Sequence, residues 1–209
     1  MLEIHEISVT PFEQNCTLLV CGETGKAAVC DCGDAAPVLA RIAELGVDVE
    51  LILATHGHLD HIGGTHALQA ACKVPFYFPE PDEFLREGLS EQASLYGWGP
   101  LTPPVVDFHL KDADVVTFGR VRLDVLHCPG HTPGHVVFYE AKSAKLVAGD
   151  VIFQGSVGRT DLPGGSWEEL QNSIRTKVYT LPEETIIHCG HGPTTSVGRE
   201  ARTNPFVRK

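Results

Sequence analysis

No stretch of this chain is apolar for long enough to span a bilayer. Its first residues, Met1-Leu2-Glu3-Ile4-His5-Glu6, have neither the basic start nor the apolar centre of a secretory signal. Basic charge is also scarce, with 16 Lys and Arg against 27 Asp and Glu and a net charge of −11. That balance excludes nucleic acid as a partner, because backbone phosphates require a basic footprint. Any anionic ligand must be held by a few local cations. The cysteines are seven (Cys16, Cys21, Cys30, Cys32, Cys72, Cys128 and Cys189), an odd number that does not build a disulfide framework. Without a secretory signal they are expected to be reduced thiols in a cytoplasmic protein. Cys30-Asp31-Cys32 lacks the spacing of a metal-binding pair. On a strand its two thiols would share a face beside Asp31, and they are read as small buried hydrophobes.

What remains is ordinary for a globular protein, with 43% hydrophobic and 21% charged residues. A chain of 209 residues is long enough to bury a substantial core as one domain. Histidine is the exception. The apolar run Leu51-Ile52-Leu53-Ala54 has the length of a buried strand and ends in Thr55-His56-Gly57-His58-Leu59-Asp60-His61. Three imidazoles and a carboxylate in six positions would repel or desolvate one another unless something binds them. These ligand types suit zinc, and also iron or manganese.

The rest of the chain alternates strands with helices. Strands are expected over 2–10, 16–21, 27–31, 49–54 and 74–78, with a turn at Pro11–Asn15. Asp34 is placed to cap a helix over Ala35–Leu45 that stops at Gly46, and a second helix runs from about Thr65 to Ala71. A weakly helical segment spans 82–96. The Gly- and Pro-rich stretch 97–104 that follows is either a surface connection, the favoured reading, or a cover offering Trp98 and Leu101 to a ligand. Hairpins are expected over 114–127 and 136–148, a helix over 166–179 with a capping box from Ser166 to Glu169, and a last strand over 185–189. Strands followed by helix, twice, imply an α/β protein, a four-layer αββα sandwich of two packed sheets with helices outside.

Each later strand end adds one candidate ligand: His131, Asp150 and His191. Singly these are unremarkable turn residues. Together with the histidine loop they make five histidines and two aspartates, enough for two metal ions sharing a carboxylate. Pro133-Gly134 keeps His131 and His135 off a common helix, so His135 is expected to orient a ligand rather than be one. His66 is expected at the solvent or behind the ligands. His127 and His188 are attributed to strand alternation, and His5 and His109 lie outside any cluster.

His56-x-His58-x-Asp60-His61 followed by His131, Asp150 and His191 resembles the pattern of the metallo-β-lactamase superfamily across nearly the whole chain. The resemblance implies that residues 1–209 form a single metallo-β-lactamase-like domain with a dinuclear centre. It implies His56, His58 and His131 on one metal, Asp60, His61 and His191 on the other, and Asp150 bridging. A second site with aspartates and no cysteine is similar to the glyoxalase II branch. Val9–Cys16, Gly158–Ser166 and Thr203-Asn204-Pro205-Phe206 resemble its small bacterial hydroxyacylglutathione hydrolase-like members, which lack the C-terminal helical domain. Pro193 stands near where the larger enzymes place a tyrosine, while Arg159 matches a basic glutathione-contacting position.

The activity so implied is hydrolysis of a small-molecule thioester, S-D-lactoylglutathione above all, by hydroxide generated between two divalent ions, with Asp60 orienting it and Arg159 holding a substrate carboxylate. Zinc is the expected metal. A persulfide dioxygenase, with one iron on His58, His131 and Asp150, is the first rival. A lactonase or esterase is the second, and a non-catalytic fold stabilised by metal the third.

Overall fold

The computed structural model describes residues 1–209, most of them organised by two six-stranded sheets. The first sheet keeps sequence order: β1 (Leu2–Val9), β2 (Gln14–Cys21), β3 (Lys26–Cys30), β4 (Asp48–Leu53), β5 (Phe76–Pro79) and β6 (Phe108–Leu110). Its first three strands are antiparallel, and β3 to β6 are parallel. Parallel neighbours need crossovers, and helices supply them. These are α1 (Ala35–Leu45), α2 (Leu59–Ile62) with α3 (Thr65–Cys72), and α4 (Glu83–Glu87) with α5 (Leu89–Leu95).

The second half contributes β7 (Val115–Phe118), β8 (Val121–His127), β9 (Val136–Glu140), β10 (Lys145–Gly149), a short hairpin of β11 (Ile152–Phe153) and β12 (Ser156–Val157), then β13 (Ile186–Cys189) and β14 (Thr195–Ser196). Apart from the hairpin these form the second sheet, in the order β14-β13-β10-β9-β8-β7. Its outer face is covered by α6 (Trp167–Ser173), a π turn over Ile174–Val178, and α7 (Val197–Thr203).

Side-chain alternation explains the layering. On β2, Cys16, Leu18 and Val20 face α1 and α3, whereas Leu19 and Cys21 face the other sheet. On β10, Val147 faces inward and Leu146 and Ala148 pack toward α6. Three apolar interiors result: helices on sheet, sheet on sheet, and sheet on helices. The chain therefore has the expected αββα sandwich. No helix is long and apolar enough to cross a membrane.

Several local expectations change. Cys30 faces the inter-sheet core and Cys32 the helix layer, so the two thiols do not share a face. Between them Asp31 has φ of 61°, which breaks strand alternation. The 82–96 segment is two helices divided at Gly88. Ser166 Oγ accepts the Glu169 N–H at 3.3 Å, but the Ser166 N–H donates to Gly130 O, so only half of the capping box forms. Asp34 does cap α1, accepting the Ala36 N–H at 3.0 Å. Two-residue strands and β6 carried too little periodicity to be seen.

The consequence for the site is geometric. Strands β4, β8, β10 and β13 all end at the same edge of the sandwich. The loops bearing His56 to His61, His131, Asp150 and His191 therefore meet there.

Candidate metal centre

All seven sequence-predicted ligand residues converge at this edge. Three sets have one potential ligand atom per residue within 4.8 Å of each other: His56, His58 and His131; Asp60, His61 and His191; and His56, His61 and Asp150. Asp150 lies between the first two. Its Oδ1 is 3.4 Å from His61 Nε2, and its Oδ2 is 3.6 Å from both His131 Nε2 and His191 Nε2. Asp60 Oδ2 is 3.2 Å from His191 Nε2.

The hydrogen bonds on the far side of each ring decide what the near side offers. His61 Nδ1 donates to Asp31 Oδ2 at 3.0 Å. His131 Nδ1 donates to Arg159 O at 2.7 Å, and His191 Nδ1 to Phe12 O at 3.1 Å. His56 Nδ1 lies 3.0 Å from Thr55 Oγ1, whose own hydrogen goes to Asp31 Oδ2 at 2.7 Å, so the imidazole is the donor. With four Nδ1 atoms committed as donors, the four Nε2 atoms point inward, and each can offer a lone pair once any proton on it is displaced. His56 Nε2, His61 Nε2 and Asp150 Oδ1 are buried without a hydrogen-bond partner. His58 Nδ1 and His131 Nε2 are 2.9 Å apart, too close for two lone pairs unless a proton or a cation lies between them. Burial and the adjacent His131 push the His58 imidazole down to about 3, so His58 is neutral and its single N–H is the one proton that can lie between them. This is the composition and convergence of a divalent-metal site, and the residues fit the ion.

Protons substitute where carboxylates crowd. His61 is buried, which alone would favour its neutral form, but Asp150, Asp60 and Asp31 raise its pKa well above the usual histidine range. Burial would raise the Asp150 carboxyl, and the neighbouring His61, His131 and His191 instead hold it far below the usual range.

Two buried carboxylates that sequence reasoning assigned no role build the scaffold behind the ligands. Asp31 accepts the Thr55 N–H at 2.7 Å as well as the Thr55 hydroxyl and His61. Asp82 accepts the Gly57 N–H at 3.0 Å, the Thr132 hydroxyl at 2.7 Å and the Gly134 N–H at 2.6 Å. One carboxylate thus ties the histidine loop to the turn that carries His131. A side chain at Gly57 would meet Leu85 Cβ at 2.7 Å, so glycine is required between His56 and His58. His135 Nε2 accepts the Asp150 N–H at 3.0 Å, so it fixes the Asp150 backbone and lies outside all three sets. His66 is exposed, and His188 pairs with Glu6 at 2.7 Å.

A cleft of about 310 Å³ opens over these residues. Its walls are Phe12, Leu59, Tyr96 and Leu162, and its polar lining is His58, Asp60, Gln92, His131, Asp150, Arg159 and His191. Phe12 projects from a turn with positive φ at Thr10 and Glu13, and its ring stacks on Trp98 at 5.7 Å and meets Tyr96 edge-on at 5.0 Å. None of residues 97–104 lines the cleft, so that stretch is a connection that backs Phe12. Arg159 does line it. Its guanidinium is engaged by Asp161, with Nε to Oδ1 at 2.7 Å and Nη2 to Oδ2 at 2.8 Å. The C-terminal Thr203–Phe206 stretch supports this region through Asn204, whose amide donates to Ser156 O at 3.0 Å in the hairpin just before Arg159.

Comparison with known proteins agrees with this architecture. A hydroxyacylglutathione hydrolase, GloC, from Haemophilus influenzae is 40% identical and covers 99% of this chain and 98% of its own length. A crystal structure of the BLEG-1 B3 metallo-beta-lactamase superposes with a TM-score of 0.90 at 35% identity, covering 99% of this chain and 100% of that one. That of TTHA1623 in a di-iron-bound form gives a TM-score of 0.88 at 38% identity, covering 97% and 100%. Residues 9–191 match the Metallo-beta-lactamase superfamily, and the chain belongs to that family.

Proposed function

We propose that the protein is a dinuclear metallohydrolase that cleaves a small-molecule thioester, with S-D-lactoylglutathione as the substrate and D-lactate and glutathione as products. One observation carries the reading: Asp150 Oδ2 lies 3.6 Å from both His131 Nε2 and His191 Nε2, one residue from each of two ligand-type sets, beneath a cleft whose lining contains no serine, threonine or cysteine. With no serine or threonine hydroxyl and no thiol to attack a carbonyl, the nucleophile is water. The names of the hydroxyacylglutathione hydrolase relatives from Haemophilus influenzae and from Bdellovibrio bacteriovorus support the thioester class.

His56, His58 and His131 would hold one ion, Asp60, His61 and His191 the other, and Asp150 would be shared. The set of imidazoles and carboxylates suits zinc, with iron and manganese as competitors, and TTHA1623 has been crystallised with two irons. When bound, such a pair supplies Lewis acidity and a water whose pKa is lowered from about 15.7 toward about 7.

The chain's own residues do the rest. Asp60 reaches into the cleft at 3.2 Å from His191 Nε2, where its carboxylate can accept a hydrogen bond from the attacking water and aim its lone pair. The attacking water releases a proton to solvent as its oxygen bonds to the thioester carbon, the carbon–sulfur bond breaks, and the sulfur leaves as thiolate. A thiol with a pKa near about 8.5 leaves without a strong acid, which matches a cleft whose only acid–base groups belong to the ligand set and Tyr96. Phe12, Tyr96, Leu59 and Leu162 exclude water around the acyl group. Arg159 is the one Lys or Arg in the lining and is the anchor for a substrate carboxylate.

The test is thiol release from S-D-lactoylglutathione. The metal-loaded protein should turn over, and Asp60→Asn and His56→Ala should lose both metal and activity, while Arg159→Ala should mainly raise KM. Full turnover by metal-depleted protein would overturn the reading.

A further inference from the structure

We infer that Asp161 sets the charge selectivity of the cleft by occupying the Arg159 guanidinium in place of a substrate carboxylate. The inference rests on the thioester reading above and adds a residue that tunes which thioesters are accepted.

The chain carries a net charge of −11, and the cleft floor adds Asp60 and Asp150. Against that field Arg159 is the single Lys or Arg among the lining residues. Its position is well determined from the backbone side. Gly158 packs against the Asp150 carbonyl so closely that a Cβ would collide with it, and the Arg159 carbonyl accepts the His131 Nδ1–H at 2.7 Å. The side chain therefore starts from a point tied to two residues of the ligand set. Yet the charge it would offer an anion is neutralised two residues later. Asp161 takes the Nε and Nη2 donors at 2.7 and 2.8 Å, the parallel two-bond geometry in which arginine binds any carboxylate. The Asp161 carboxyl lies at about 2, held down first by its hydrogen bonds from Arg159, so it remains charged throughout the physiological range.

Both partners are more than half exposed, 58% for the Arg159 side chain and 68% for Asp161. An ion pair so open to water is weak and exchanges readily. A substrate carboxylate can take the same two donors as Asp161 swings into solvent, or it can use the free Nη1 edge while Asp161 stays. In both cases the internal carboxylate subtracts from the attraction, by exchange in the first and by like-charge repulsion in the second. Asp161 thereby lowers affinity for anionic thioesters and leaves uncharged ones less affected. The carboxylate opposes the anion, so replacing it with an amide unmasks Arg159 while keeping one hydrogen bond to hold the guanidinium in place.

The experiment compares wild type, Asp161→Asn and Arg159→Ala, all zinc-loaded. The substrates are S-D-lactoylglutathione, which is anionic, and the lactoyl thioester of N-acetylcysteamine, which is neutral. Asp161→Asn should raise the ratio of kcat/KM for the anionic over the neutral substrate roughly two- to fivefold, through KM, and steepen its fall with added salt. Arg159→Ala should move the ratio the other way. Binding of S-methylglutathione, which has no thioester bond, is measured in parallel by calorimetry, and Asp161→Asn should tighten it by a similar factor. An unchanged or lowered selectivity ratio, or unchanged or weaker S-methylglutathione binding, in Asp161→Asn would overturn the inference. Failure of the wild type to cleave either thioester would count against the hydrolase reading, and the binding arm would still decide the role of Asp161.

Discussion

Replacing Asp31 with asparagine should cripple metal binding although Asp31 belongs to none of the candidate ligand sets. The carboxylate accepts three hydrogen bonds, from the Thr55 N–H, the Thr55 hydroxyl and His61 Nδ1. Asparagine can keep Oδ1 on the Thr55 N–H, but its NH2 group then faces the other two donors. The Thr55 hydroxyl can rotate and accept. His61 cannot keep a proton on Nδ1 against an N–H, so its proton shifts to Nε2, the atom 3.4 Å from Asp150. A protonated Nε2 has no lone pair to give. Loss of such an outer hydrogen bond typically costs about 10–100-fold in metal affinity, equivalent to about 1.4–2.7 kcal/mol. His56 is one relay further from Asp31, through Thr55, and its set should suffer less. Competition against a chromophoric chelator would read both affinities. Two ions bound by Asp31→Asn with wild-type affinity would refute the relay argument.

Asp82→Ala leaves the Gly57 and Gly134 N–H groups and the Thr132 hydroxyl without their buried acceptor. It should destabilise the fold by about 3 kcal/mol or more, visible as an earlier midpoint in urea unfolding. Metal uptake should release protons at neutral pH. His61 is shielded from solvent, yet Asp150 and Asp60 raise its pKa, and Asp60 with Asp150 raises that of the half-buried His191. His61 therefore holds a proton in the metal-free protein that an ion must displace, and His191 binds one more readily than an ordinary imidazole, so affinity should fall as pH falls. Calorimetry in buffers of different ionisation enthalpy measures the proton count, and a count of zero at pH 7 would contradict this arrangement. Phe12→Ala removes the ring that joins Trp98 and Tyr96 and should raise KM for lactoyl thioesters severalfold while metal content is unchanged, since His191 is held by the Phe12 carbonyl rather than its ring.

The layers and the residues that converge at the candidate metal centre were legible in the sequence because each depends on short-range pattern. Val136 to Phe138 alternates between two cores as a strand should, and His56 to His61 crowds its chemistry into one turn. Asp150 and His191 were readable as polar residues at the ends of apolar runs. The supporting residues were not. Asp31 reaches Thr55 across 24 positions, and Asp82 reaches Gly57 and Gly134 across 25 and 52. Nothing local distinguishes either from an ordinary turn aspartate, and Asp31 was visible only as the residue between two cysteines. Phe12 lay in a correctly placed turn, but its aim at the cleft follows from positive φ at Thr10 and Glu13, which side chains of those types do not announce. Arg159 was placed at the site by resemblance. The engagement of its guanidinium by Asp161 depends on a rotamer, which a two-residue spacing does not determine.

Metal stoichiometry measured together with turnover tests the dinuclear hydrolase most directly. Purified protein is analysed for zinc, iron and manganese, then assayed for thiol release from S-D-lactoylglutathione and for oxygen uptake with glutathione persulfide. The expected result is near two ions per chain, thioester turnover that disappears with the metal and returns with it, and no oxygen uptake. One iron per chain, oxygen consumption and no thioester cleavage would contradict it.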